Sequence, residues 1–193
     1  MGRVVGKAKC MAFNERIAAD AVALQCFGGP HFSTKRMTWI KPNFLWMMYR
    51  CGWATKDENQ ARVLQVTLAR SAFDTILASA WPSSYDAHAA ARYGSRDAWQ
   101  AAKAASSTVL QWDPDHDPHG GALPRRAAQL GLRPRCVSHV YNPGIVCIRD
   151  VTPFVLEQSA RVAAGEEPLV PAETVYTPQM DGAAEAVGID QCT

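Results

Sequence analysis

Val63-Leu64-Gln65-Val66-Thr67-Leu68 decides how this chain folds. It is a short β-branched run between polar residues, and it reads as a central strand. Working outward from it, Ser71 is positioned to cap a short helix carrying Phe73, Ile76 and Leu77, which Trp81-Pro82 closes. Upstream, residues 3–13 alternate weakly and read as a strand ending at Phe13. Asn14 then caps a helix with Ile17, Ala21 and Leu24 at helical spacing, and Gly28-Gly29-Pro30 stops it. Downstream come a polar helix around Ser95–Ala105 and a strand, Thr108-Val109-Leu110-Gln111-Trp112. Asp113-Pro114 is expected to end that strand and open a loop through Gly121. Ile145-Val146-Cys147-Ile148 is another strand, and Thr152-Pro153 opens a helix with proline where its missing N–H does no harm. Strands and helices mix without a strict βαβ rhythm, so the expected fold is a single α+β domain with a central sheet flanked by helices, not a Rossmann fold. Its expected bounds are 1–164, with residues 165–193 an acidic, proline-containing tail or extended arm.

Composition narrows the function classes. The 193 residues are 48% apolar and 20% charged, which excludes a disordered body and suits one globular domain. No apolar run approaches the ~18 residues of a membrane span, and no apolar segment follows Arg3, Lys7 and Lys9, so neither a membrane partner nor a secretory signal is expected. Six dispersed cysteines without a Cys-x-x-Cys pair read as reduced thiols in a cytoplasmic protein. The net charge of +2 conceals a gradient: residues 1–70 hold eleven Lys/Arg against four Asp/Glu, whereas residues 165–193 hold none against six. A basic front half points to a phosphate-bearing partner, either a nucleotide or a nucleic acid.

Within that half, residues 36–56 read RMTWIKPNFLWMMYRCGWATK. Arg36, Lys41, Arg50 and Lys56 interleave with Trp39, Trp46, Tyr49 and Trp53, a pairing of phosphate-binding cations with rings on which a base or nicotinamide can stack. Phe44, Leu45 and Met48 lie at helical spacing, which assigns Trp46, Met47 and Met48 to the core. Core packing does not call for Arg36, Lys41 and Arg50, which are therefore expected around one shared pocket. Gln111, Asp113 and Gln129 are the polar residues placed to orient a ribose hydroxyl or support a developing cation. Asp113, Asp115, His116, Asp117 and His119 are ordinary turn chemistry rather than a metal site, and no metal is expected. Neither a P-loop, a GxGxxG fingerprint nor a nucleophile elbow is present.

The same block, with Gln111-Trp112-Asp113-Pro114, Gln129-Leu130-Gly131-Leu132 and Asp150-Val151-Thr152-Pro153, resembles the domain-of-unknown-function family four-two-nine-one of bacteria and fungi, over about residues 11–164. Departures fall at Cys10-Met11-Ala12-Phe13-Asn14, at Asp115-His116 and at Val140-Tyr141-Asn142-Pro143-Gly144. The set of residue types is also similar to that of NAD-dependent ADP-ribosyltransferases. There a basic residue grips the diphosphate, aromatic rings hold the nicotinamide, and an acid or amide acts near the ribose. That similarity implies NAD as cofactor, Arg36, Trp39, Lys41, Tyr49, Arg50 and Gln129 as its binding residues, and Gln111 and Asp113 as catalytic residues. The alternative is a non-catalytic nucleic-acid-binding module using the same basic and aromatic surface.

Overall fold

The computed structural model describes residues 2–3 and 8–189. It contains two sheets that meet at one point. The smaller has the order β2 (Ala8–Phe13), β4 (Arg62–Leu68), β8 (Ile145–Asp150), all antiparallel, with the β-branched run in the middle. Alternation along β4 sends Leu64, Val66 and Leu68 to the main core and Val63 to a second cluster on the opposite face. A strand buried on both sides reads as a nearly continuous apolar run, which is why this one was legible.

Helices cover both faces. α1 (Glu15–Leu24) is capped by Asn14, whose Oδ1 accepts from the Ile17 N–H at 3.0 Å. It ends before Gly28-Gly29-Pro30, because Gln25 turns left-handed (φ 54°) and spends its amide on β8. Gln25 Nε2 donates to the Ile148 carbonyl at 3.0 Å, and the Ile148 N–H donates back to Oε1 at 2.8 Å. α2 (Phe44–Cys51) buries Phe44, Trp46, Met47, Met48 and Cys51. α3 (Arg70–Ala78) starts one residue before the expected Ser71 cap, with Ala69 at its N-cap and no side-chain cap. α7 (Thr152–Ala163) opens with proline in its first turn, and Thr152 Oγ1 accepts from the Val63 N–H at 2.9 Å, stitching the helix to β4.

The larger sheet runs β5 (Ala80–Pro82), β6 (Thr108–His116), β7 (Ala122–Leu132), with β3 (Thr38–Ile40) and β1 (Gly2–Arg3) both on the far edge of β7. Trp81-Pro82 is therefore a short parallel strand rather than a helix stop. β6 also runs through Asp113-Pro114, with its register shift falling between Pro114 and His116. β5 pairs only as far as Leu110, so Pro114 lacks an N–H where no neighbouring strand on that side needs one. α4 (Ala87–Tyr93) and α5 (Arg96–Ala105, capped by Ser95) hold a satellite cluster built on stacked Trp81 and Trp99. The sheets join where Cys10 and Lys41 exchange backbone hydrogen bonds at 3.0 and 3.2 Å. α6 (Pro134–Cys136) runs into a wide turn, Val137–Tyr141, that seals the main core with Tyr141.

Residues 165–189 cross the body as an extended arm. The Leu169 N–H donates to Gln158 Oε1 (2.8 Å), the Tyr176 hydroxyl donates to Asp74 Oδ1 (2.7 Å), and the Gln179 N–H donates to Asp74 Oδ2 (3.1 Å). α8 (Ala183–Val187) ends the arm with Ala183, Ala186 and Val187 buried. Overall the fold is a mixed α+β one, and among the described residues no helix is long and apolar enough to cross a membrane. Cys10, Cys26, Cys51, Cys136 and Cys147 are free thiols, while Cys192 lies outside the described residues.

Candidate functional site: a cationic cleft beside a polar sheet face

A cleft of about 560 Å³ opens between the end of β2, the start of α1, the loop 31–37, β3 and α2. Arg36, Trp39, Lys41 and Arg50 all line it, so the expected three cations share one cavity. Among the described residues no Asp or Glu lines it, and none of the three cations forms an ion pair. The histidine on its wall is already engaged, with His31 Nδ1 2.7 Å from Asp20 Oδ2. Local sequence explains each placement. Arg36 is exposed on the loop before β3, while Arg50 is exposed in the last turn of α2, one residue before the buried Cys51. Lys41 directly follows β3, and its backbone is the link between the sheets. Burial, then the neighbouring Arg50 charge, pulls the Lys41 ammonium down to about 8, against the upward pull of Cys51 and Asp113.

Trp39 gains its place from a glycine. A Cβ on Gly131, its cross-strand partner, would stand 3.1 Å from the indole ring and 2.8 Å from the Met37 sulfur. Without it, the indole lies close against β7.

The register also fixes which residues share a sheet face. Ile40, Leu110 and Leu130 are aligned across β3, β6 and β7 and point into the main core. The alternate residues Trp39, Lys41, Gln111, Asp113 and Gln129 therefore belong to the opposite face. There Gln111 Nε2 donates to Asp113 Oδ1 at 2.9 Å and Gln129 Nε2 donates to Asp113 Oδ2 at 2.7 Å, while Gln111 and Gln129 are direct cross-strand partners. Asp113 is thus a mid-strand carboxylate clasped by two amides, not the turn residue its proline neighbour suggested. It lies within electrostatic reach of Lys41, which ties this cluster to the cleft.

Tyr49 stands apart from the cleft lining. Its exposed ring stacks on His116 with centroids 3.5 Å apart and planes 10° off parallel. Near it, both amide atoms of Asn43, Trp46 Nε1 and His116 Nδ1 are buried without hydrogen-bond partners among the described residues. Such atoms cost about 1–3 kcal/mol each unless a water or ligand serves them. Asn43 occupies the N-cap of α2 yet does not cap it. Glu173 of the arm does so instead, accepting from the Phe44 N–H at 2.6 Å.

The Asp-rich hairpin is occupied internally. Asp115 pairs with Arg125 at 2.6 Å, and Asp117 accepts from the His119 and Gly121 N–H groups at 2.9 and 2.8 Å. Among the described residues no group of three or more His, Cys, Asp or Glu side chains is arranged to hold a metal ion. Sequence reasoning missed Phe32, Asn59 and Gln60, which also line the cleft. Asn14 was read only as a cap and lines it too. Nothing in their local sequence marks them, because they join the site only through tertiary packing.

The family model for the domain of unknown function (DUF4291) matches residues 10–176, which takes in the cleft, the polar face and the first part of the arm. The chain belongs to this family. No curated protein and no solved structure matches it. The signature block 36–56 of this DUF4291 domain supplies seven of the cleft residues, Arg36, Trp39, Lys41 and Arg50 among them, and the Gln-Trp-Asp-Pro block supplies Gln111 and Asp113 of the hydrogen-bonded trio on the sheet face.

Proposed function

We propose that the cationic cleft binds the phosphates of a nucleotide. The observation that carries this reading is a lining with Arg36, Lys41 and Arg50 and, among the described residues, no carboxylate. Three unpaired cations held together repel one another, so an anion gains from all three at once. Arg36 and Arg50 provide planar forks suited to phosphate oxygens, and Lys41 provides a point charge. Trp39 and Phe32 offer ring faces, while Asn14, Asn59 and Gln60 offer the amides that base and ribose edges require.

The finer version is NAD-dependent ADP-ribosyl transfer in a cytoplasmic setting, which five free thiols suit. The donor set fits the ligand, with cations for a diphosphate, rings for stacking and amides for sugar hydroxyls. NAD, when bound, supplies an activated glycosidic bond. On this reading Gln111 and Gln129 hold Asp113 in one orientation, and Asp113 supplies negative charge beside the reacting ribose. This assignment of chemistry rests on analogy of residue types.

Titration of the full chain with ADP, NAD and a single-stranded oligonucleotide at rising salt tests the proposal. Micromolar to millimolar binding of ADP or NAD with a shallow salt slope is the expected result. A steep slope with the oligonucleotide, losing at least ~10³-fold between 50 and 200 mM salt, would favour the nucleic-acid module instead. Binding of none of the three would remove the reading.

A further inference from the structure

A second cavity, of about 510 Å³, lies beneath the arm beside the small sheet and shares no lining residue with the cleft. Its floor holds Lys9, its walls Leu68, Arg70 and Phe73, and its roof Val175 and Tyr176. Lys9 is on the core-facing side of β2, two residues from Met11, and contributes to the cavity lining while almost fully buried. Its ammonium group sits 3.5 Å from the centroid of Phe73 and 5.6 Å from that of Tyr176. The roof is fastened on both sides. Tyr176 donates to the buried Asp74 carboxylate, and Arg70 Nη2 donates to the Thr177 carbonyl at 3.3 Å while its guanidinium stacks over the Tyr176 ring.

We propose that this cavity is a second small-molecule site, in which the Lys9 amine condenses with the carbonyl of a neutral, largely apolar aldehyde or ketone. Lysine is only 1% exposed here, and burial is the main force that pulls its ammonium down to about 7. About half of the amine is therefore neutral at pH 7, whereas an ordinary surface lysine is almost wholly protonated. Apolar walls suit an apolar carbon skeleton. The wall cation Arg70 is already engaged with the Thr177 carbonyl and the Tyr176 ring. The carboxylates of Asp74 and Glu173 lie close by, so the cavity carries no excess of positive charge to draw an anionic ligand. That leaves a neutral carbonyl as the class of ligand which fits. The amine lone pair attacks the carbonyl carbon, a proton passes from nitrogen to oxygen to give a carbinolamine, and loss of water leaves the imine. No oxidant or further reactant is required.

Benzaldehyde with sodium cyanoborohydride, applied to the intact folded chain and mapped by peptide fragmentation, tests this. The reductant fixes the imine as a secondary amine. Lys9 should be modified at least about tenfold faster than Lys35, Lys56 or Lys103 at pH 7, with a rate that rises through pH 7 and then levels. Glyoxylate, an anionic aldehyde, should label Lys9 more slowly than benzaldehyde does. Lys9→Arg keeps the cation and removes the nucleophile, so the dominant label should disappear. If that variant does not fold, the pH profile and the site map on the unaltered chain decide the matter. Lys9 labelling no faster than that of the surface lysines, labelling led by Lys41 of the cleft, or faster reaction with glyoxylate would each overturn the proposal. ADP binding in the cleft can succeed or fail regardless of any of these outcomes.

Discussion

Lys41 and Lys9 are both buried and both lose basicity, yet their surroundings prepare them for opposite work. Lys41 sits in a cleft whose other charges are cations, with Asp113 the carboxylate that pulls it back up. An anion entering that cleft restores the lysine's charge. Lys9 sits over an aromatic ring, beneath a roof of arm residues, and has Glu173 close enough to feel. There Lys9 and Arg70 stand against the nearby carboxylates of Asp74 and Glu173, so positive charge is balanced rather than in excess. On the two proposals made above, the same side chain would serve electrostatic capture in one place and nucleophilic chemistry in the other, and its neighbours would decide which.

The largest expected effect separates the two regions by their dependence on the arm. Tyr176→Ala removes a ring packed edge-on against Phe73 at 4.9 Å and strips a donor from the buried Asp74. It should cost about 3–5 kcal/mol in urea denaturation. ADP affinity measured in the fraction that stays folded should hold, because none of the described arm residues lines the cleft. Loss of both would show that the regions are coupled. Next in size, Arg36→Ala should weaken ADP binding by about 1.5–3 kcal/mol in isothermal titration, with the unfolding midpoint nearly unmoved, since the residue is exposed.

Third comes the pH dependence of stability. Lys9 loses its proton near 7 and Lys41 near 8 in the folded chain, whereas unfolded lysines hold theirs to about 10.4. Above pH 7 the unfolded state therefore binds more protons, and stability should rise by about 1–2 kcal/mol between pH 7 and 8.5. Beyond that the buried thiols oppose the rise. Burial pushes Cys10 up to about 12, so the folded chain keeps a proton that the unfolded chain gives up. Lys9→Met should flatten the rise between pH 7 and 8.5, and Lys41→Met should flatten it less. Equal slopes in all three proteins would mean that neither lysine is held as described.

The smallest effect concerns Asp113→Asn. An amide nitrogen there faces the donor of Gln111 or Gln129, so one glutamine must turn over, for a loss of about 1 kcal/mol in stability. ADP affinity should change by less than that. If NAD turnover is detectable, it should fall well beyond the change in affinity, and turnover that is unchanged would leave Asp113 a purely structural member of the sheet.

How far the sequence disclosed all this differs between the sheets. β4 was plain because both of its faces are covered and its residues are β-branched. β7, Ala-Leu-Pro-Arg-Arg-Ala-Ala-Gln-Leu-Gly-Leu, has no β-branched residue, and only its pairing with β6, β3 and β1 makes it a strand. Asp113-Pro114 looked like a stop because proline usually ends a central strand, and it goes on here because β6 has lost its β5 neighbour by that point. For the site, charge in an apolar segment was enough to single out Arg36, Lys41 and Arg50. Nothing comparable marks Asn59 or Gln60. Glu173 lies 129 residues from the amide it serves, and no local pattern can announce such a pairing.

That cap has a consequence for the order of events in folding. Asn43 leaves the first turn of α2 unserved, and the acceptor that completes it arrives with residue 173. During synthesis the basic half emerges well before the arm, so its signature helix must wait with an open amide end. The first turn of the helix that carries Arg50 thus gains its side-chain acceptor only when an acidic segment has been laid across the body. In a growing chain the last stretch to be made would thus finish the start of a helix made long before it.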